Sequence, residues 1–105
     1  MMDKIVKTEV TAALQAFVGA DAYFHSEATS YVFVRNFKVK VTHAYIAGDG
    51  PTYRVALRFD GHGWLRMEAL THFEMDKEGR LLLAGFDDKG RMNVALHVGK
   101  EPFPE

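Results

Sequence analysis

The sequence predicts a mainly β fold: a small β-barrel-like meander of about six or seven strands with one N-terminal α-helix. Three observations carry this expectation. Only the residues up to Gly19 repeat apolar side chains at helical spacing, nearly everything after Asp21 alternates with period two, and turn-forming glycine and aspartate punctuate that alternation at short intervals. A flat meander leaves two unpaired edges, and curling it into a barrel removes them. An open sheet backed by the helix is the alternative.

Val6, Val10, Ala13, Leu14 and Phe17 recur at three- and four-residue steps, which places a helix over about residues 3–18, with Asp3 as its cap and Gly19 at its C-terminal end. One apolar stripe must lie against something larger, so the helix plugs an end of the barrel or covers a side. "AYFHSE" reads as a short strand. "YVFVRNFKVKVTHAYI" exceeds the usual 3–10 residues of a strand, and its first residues are apolar on both faces, so a bend or bulge is expected near Arg35 and Asn36. Beyond the bend Phe37, Val39, Val41, His43 and Tyr45 share the apolar face.

"AGDGP" is a turn. After it Tyr53, Val55, Leu57 and Phe59 point inward, with Arg54 and Arg58 outward. Leu65, Met67, Ala69, Phe73 and Met75 continue the apolar parity, with Arg66, Glu68, His72 and Glu74 opposite. "DKEG" and "DDKG" are hairpin turns around a buried "LLLAGF" and a last strand that keeps Met92, Val94, Leu96 and Val98 on one face. The prolines of "EPFPE" end the ladder. One domain, 1–105, is expected, with the strand-rich barrel over about 21–99.

Composition removes several function classes. The 105 residues hold no cysteine, which excludes disulfides, thiolate zinc sites and cysteine nucleophiles. Thirteen basic and fourteen acidic residues give a formal charge of -1 without a basic stripe, so no nucleic acid partner is expected. No apolar run approaches the roughly 20 residues of a membrane helix, and Lys4, Lys7 and Glu9 interrupt any signal-peptide core, so a soluble cytoplasmic protein without a membrane partner is expected.

The stretch "DGHGW", residues 60–64, has the residue types of an active site and of a hairpin turn alike. Parity favours the turn. Phe59 and Leu65 both belong to the inward face, and a three-residue loop of Gly61, His62 and Gly63 pairs them, with glycine where the left-handed conformation is wanted. His62 is then an exposed loop tip. The same register sets Arg58 opposite Arg66, with Trp64 on the same outward face.

"NFKVKVTHAYIAGDGPTYRVALRF", "GWLRMEAL", "RLLLAGF" and the terminal "KEPF" together resemble the YojF family of small proteins from Bacillus-like bacteria. The likeness covers nearly the whole chain and is tightest from about residue 36 to 103. It implies a β-barrel-like fold. It also implies a link to low-molecular-weight thiol metabolism, because family genes often lie beside a deacetylase of the bacillithiol pathway. No catalytic residue is carried over by it, and around residues 27–30 this chain is shorter than its relatives.

Recognisable catalytic and cofactor motifs are absent. His25, His43, His62, His72 and His97 show neither HxH nor HxxxH spacing, so no metal site and no cofactor is expected. Ser26 and Ser30, the only serines, lie outside GxSxG. Asp76, Asp87 and Asp88 sit in turns for conformational reasons. What remains is the outward face of the central hairpin. Arg58 and Arg66 across a ladder repel unless Glu68 neutralises them or an anion binds between them, with Trp64 as an apolar anchor. The favoured reading is a non-enzymatic binding or accessory protein that takes a small anion or a partner protein, such as the deacetylase. A small metabolite-binding enzyme with a pocket around His43 is the alternative. A homodimer is also expected, on the view that Trp64, Leu70 and Phe103 face outward.

Overall fold

Eight antiparallel strands and one helix make up the computed structural model, which describes residues 2–29 and 31–104. In chain order they are β1 (Asp3–Lys4), α1 (Lys7–Gln15), β2 (Asp21–Ala28), β3 (Val32–Ala47), β4 (Tyr53–Phe59), β5 (Gly63–Leu70), β6 (His72–Met75), β7 (Leu81–Phe86) and β8 (Met92–Gly99). Met1, Ser30 and Glu105 lie outside the described residues, and with them the expectation placed on Ser30.

The strands form one curled sheet, ordered β1-β6-β7-β8-β2-β3-β4-β5, a half-barrel that agrees with the expected mainly β class. The meander from β2 to β8 is kept, and its two ends pair: Phe24 lies opposite Val98 and Ser26 opposite Leu96. The ladder breaks between β5 and β6, which are joined through Thr71. That residue donates its amide to the Ala84 carbonyl at 2.9 Å, and its hydroxyl accepts the Phe86 amide at 3.1 Å, so the corner is hooked onto β7.

The strand count exceeds the expected six or seven for two reasons. The Thr71 corner divides what reads as one long strand, and β1 is too short to show a period. Asp3 belongs to β1, opposite Phe73, and does not cap the helix; Val6 occupies the N-cap position without a side-chain bond. The helix and the turn after it lay Val10, Leu14 and Phe17 on the core formed by residues such as Phe24, Val41, Leu57, Leu70, Leu83 and Leu96. Three such side chains contribute roughly 5–8 kcal/mol of apolar burial.

β3 changes partner midway. Its residues 32–40 pair with β2 and residues 41–47 with β4. Two bulges make the bend. At the first, Asn36 is the extra residue, with φ 59°, a value asparagine tolerates better than most residues. This is the bend the sequence placed near Arg35 and Asn36. At the second, between Val41 and His43, Thr42 is extra and the inward face switches to Ala44. His43 and Tyr45 therefore lie on the outside and not on the expected apolar face. A third irregularity, at Ala69 with φ 63°, turns Leu70 inward, where it is fully buried rather than outward.

The two acidic turns are built alike. Asp76 accepts the amides of Glu78 and Arg80, and Asp87 those of Lys89 and Arg91, each at 2.9 Å. The backbone bond from Arg91 holds the Asp87 carboxyl below its usual range.

Candidate functional site

The "DGHGW" stretch is a hairpin turn, formed one residue earlier than the parity rule alone fixes. The His62 amide reaches back to the Phe59 carbonyl at 3.3 Å, and Gly61 takes φ 71° at the third position, as a type II turn demands. Phe59 thus pairs with Gly63, itself at φ 93°, and the register moves by two residues. A shift of two keeps every side chain on its face but changes who meets whom. Arg58 lies opposite Trp64, and Arg66 opposite Ala56; the expected Arg58–Arg66 pair across the ladder is replaced by a diagonal.

The outer face of β3, β4 and β5 is now a three-strand grid. One row reads His43, Arg58, Trp64 and the next Tyr45, Ala56, Arg66, with Ala47 and Arg54 beyond them. Small Ala56 at the centre lets the flanking rings approach over it. Tyr45 stacks on Trp64 with centroids 6.2 Å apart and on His43 at 6.2 Å, and the Arg58 guanidinium lies 5.9 Å from the centre of the Trp64 ring. Glu68 neutralises a different pair from the one expected: it reaches Arg66 at 3.4 Å and Arg54 at 3.8 Å. Arg58 has no carboxylate partner among the described residues. Three arginines share this face with one glutamate, and a shallow hollow of about 610 Å³ on it is lined by Tyr45, Ala47, Arg54, Ala56, Trp64 and Arg66.

His43 joins this surface by accident of the Thr42 bulge. It is exposed, with Nδ1 3.1 Å from the Thr42 hydroxyl. The hollow beside it, about 250 Å³, is lined by Gln15, Val18, Thr42, Ala44 and Tyr45 and holds no carboxylate, lysine or arginine. The sequence thus assigned Arg58, Arg66 and Trp64 to one face correctly, and His43 to the opposite one wrongly.

A second polar cluster escaped the sequence reading. His25, only 5% exposed, sits on the outer face of β2. Its Nδ1 lies 3.0 Å from Arg35 and its Nε2 3.1 Å from Glu27. Because arginine only donates, Nδ1 accepts and Nε2 carries the proton toward the carboxylate. Arg35 also donates twice to the Pro104 carbonyl, at 2.8 and 2.6 Å, and Asn36 bonds both backbone groups of Phe103, at 3.0 and 2.7 Å. Phe103 is 5% exposed, not outward, and lies between the Arg35 and Arg80 guanidinia. These bonds span 67–69 residues of chain and leave no periodic signal in the sequence.

His97 borders the same cluster, its ring 5.1 Å from His25 and 6.1 Å from Phe103. Burial, with the Arg35 guanidinium behind it, lowers its pKa from 6.5 to about 4. The unfolded chain therefore holds the extra proton between those values. Stability is full above pH 6.5 and falls as pH drops toward 4, by on the order of 1–2 kcal/mol once solvent screening at the ring's open edge is allowed for. Urea midpoints at pH 7.5 and 4.5 should show this loss, and His97→Gln should remove most of it. An unchanged pH dependence in that variant would refute the assignment.

A family model described as "Protein of unknown function (DUF1806)" matches residues 4–103. The Uncharacterized protein YojF of Bacillus subtilis (strain 168) is 35% identical over 116 residues, covering 97% of this chain and 98% of the relative. The crystal structure of Bacillus subtilis YojF matches with a TM-score of 0.88 at 34% identity, over 99% of this chain and 98% of that one.

Proposed function

The chain belongs to the DUF1806 family and is similar to YojF in sequence and fold, and from that premise we propose that it is a cytoplasmic binding protein without catalytic activity. Its outer β3–β5 face takes carboxylate or phosphate groups, carried by a small anion or by a partner protein. The observation that supports this most is Arg58. It is a cation without a carboxylate partner among the described residues, held over Trp64 beside a stacked Tyr45, with Arg66 on the diagonal. A ligand with a flat apolar body and an acidic group would stack on the rings and be held by the guanidinium groups. The reading as an enzyme around His43 has less support, because its hollow is lined by no carboxylate, lysine or arginine.

Melting temperature under titration with phosphate, malate and a sugar phosphate, at constant ionic strength, tests the small-anion arm. At ten times the dissociation constant, mass action adds about 1.4 kcal/mol, a rise of several degrees. Arg58→Ala should abolish the shift, and Arg54→Ala, whose charge Glu68 already meets, should change it little. Salt should weaken binding, since the site is exposed. If wild type and Arg58→Ala respond alike to all three anions, the small-anion reading is wrong. The protein arm, and with it the link to thiol metabolism that the resemblance implies, is tested by pull-down of the bacillithiol-pathway deacetylase with wild type and Arg58→Ala. Equal capture by both removes the outer face from that contact.

A further inference from the structure

The first half of β3 has one edge in use and one edge free. Residues 32–40 pair with β2, and β4 takes up the other side of the strand only from Val41 onward. Among the described residues no strand pairs with that second edge over residues 32–38. The free edge is also apolar on both faces. Tyr31 is 92% exposed, Val32 52%, Phe33 63% and Val34 43%, four consecutive residues with no lysine or proline among them. Proteins that stay monomeric blunt such an edge with charge, proline or a cover. Below it lies an apolar hollow of about 500 Å³, where the inward-facing Val32, Val34 and Phe37 approach Leu65 and Met67 of the opposite rim.

The sequence of this edge matches itself. Reading outward from Phe33, valine stands on both sides, then Tyr31 on one side and Arg35 on the other. An antiparallel twofold at Phe33 would set each Phe33 against its copy, Val32 against the partner's Val34, and Tyr31 against the partner's Arg35. Every contact in that register is favourable: aromatic with aromatic, β-branched with β-branched, aromatic with guanidinium. A twofold contact requires such self-complementarity, and a strand evolved for a different protein does not. The formal charge of -1 on each chain adds no appreciable repulsion.

We propose that the free edge of β3 is the interface of a twofold dimer, in which residues 32–34 of two copies pair antiparallel about Phe33 and join the two half-barrels into one sheet. The inward valines of each copy then line the partner's open hollow. Apolar surface that would otherwise face water is covered, and the unpaired amides and carbonyls of both edges bond to each other.

Sedimentation equilibrium at tens of micromolar should show wild type at twice 11.8 kDa. Val34→Lys, which puts a charge on an already exposed edge position, should sediment as a monomer with an unchanged circular dichroism spectrum. Cysteine cross-linking gives a readout independent of that variant. The natural chain has no cysteine, and only a residue on the twofold meets its own copy. Phe33→Cys should oxidise to a covalent dimer, since directly opposed strand residues lie about 4.5–5.5 Å apart and a disulfide spans that distance. Tyr31→Cys should not, because its copy would lie roughly 13 Å away along the strand. A wild-type monomer at these concentrations overturns the proposal and leaves the edge to a different protein. So does a dimer that survives Val34→Lys, or one in which Phe33→Cys links no faster than Tyr31→Cys.

Discussion

Gly85→Ala should be among the most damaging single substitutions in this protein, lowering stability by about 3 kcal/mol or more and the melting temperature by roughly 10–20 °C. The cause is the corner at Thr71. To pass from β5 to β6 the chain crosses β7 at close range, and the carbonyl oxygen of Ala69 rests against Gly85. A methyl group added there would fall far inside contact distance of that oxygen and close to a Val94 methyl. Gly85 has no left-handed backbone angle, so the cost is steric and not conformational. The double variant Gly85→Ala, Val94→Ala separates the two neighbours. A side chain can be trimmed, but the Ala69 carbonyl cannot move without unhooking the corner from Ala84 and Phe86. Thermal melts of both variants should therefore be nearly alike. Recovery of most of the stability in the double variant would show that Val94, and not the backbone crossing, sets the limit.

Phe103→Ala should cost about 3 kcal/mol, although the residue is third from the end of the chain and lies beyond the last strand. Its ring is sandwiched between the guanidinium groups of Arg35 and Arg80, 5.5 and 5.2 Å from its centre, and it shields Arg80 Nε, which is buried without a hydrogen-bond partner. Two contributions are lost together: apolar burial and cation–π attraction. Phe103→Leu restores the first but not the second and should lose about 1 kcal/mol. Urea unfolding with an unchanged slope measures both. Truncation after Gly99 should be at least as harmful as the alanine variant; a truncated chain as stable as wild type would show that the tail merely rests on the surface.

The parts of this fold that were legible in the sequence are those where side-chain parity runs unbroken. β4 is the clearest, with Val55, Leu57 and Phe59 buried and Arg54 and Arg58 outside as the alternation requires. The bulge at Asn36 was legible too, because apolar residues on both faces of one long run cannot be satisfied by a straight strand. The bulges at Thr42 and Ala69 gave no such sign; the first reverses the parity of the rest of β3 and the second that of Leu70. That is why His43 was placed inside and Leu70 outside, the opposite of where they are. The outer-face site survived in part, since a register error of two residues preserves the face. Arg58, Arg66 and Trp64 stayed together while their pairings changed. The tail clamp was illegible for a different reason. Asn36 and Arg35 bind backbone atoms of Phe103 and Pro104, and such contacts specify nothing that composition or period can show.

The pairing of β2 with β8 bears on when this protein can fold. A meander normally lets each hairpin form as soon as its second strand is made. Here β2 gains its second neighbour only when residues 94–99 arrive, and Arg35 and Asn36 bind the tail a few residues later still. Contacts between distant parts of a chain must overcome a large loop-closure entropy before they stabilise anything, and folds dominated by them form over milliseconds to seconds. During translation the early strands therefore wait, with the second edge of β2 unpaired, until residues 94–104 have been made. The interval before those residues arrive is when aggregation has its opportunity.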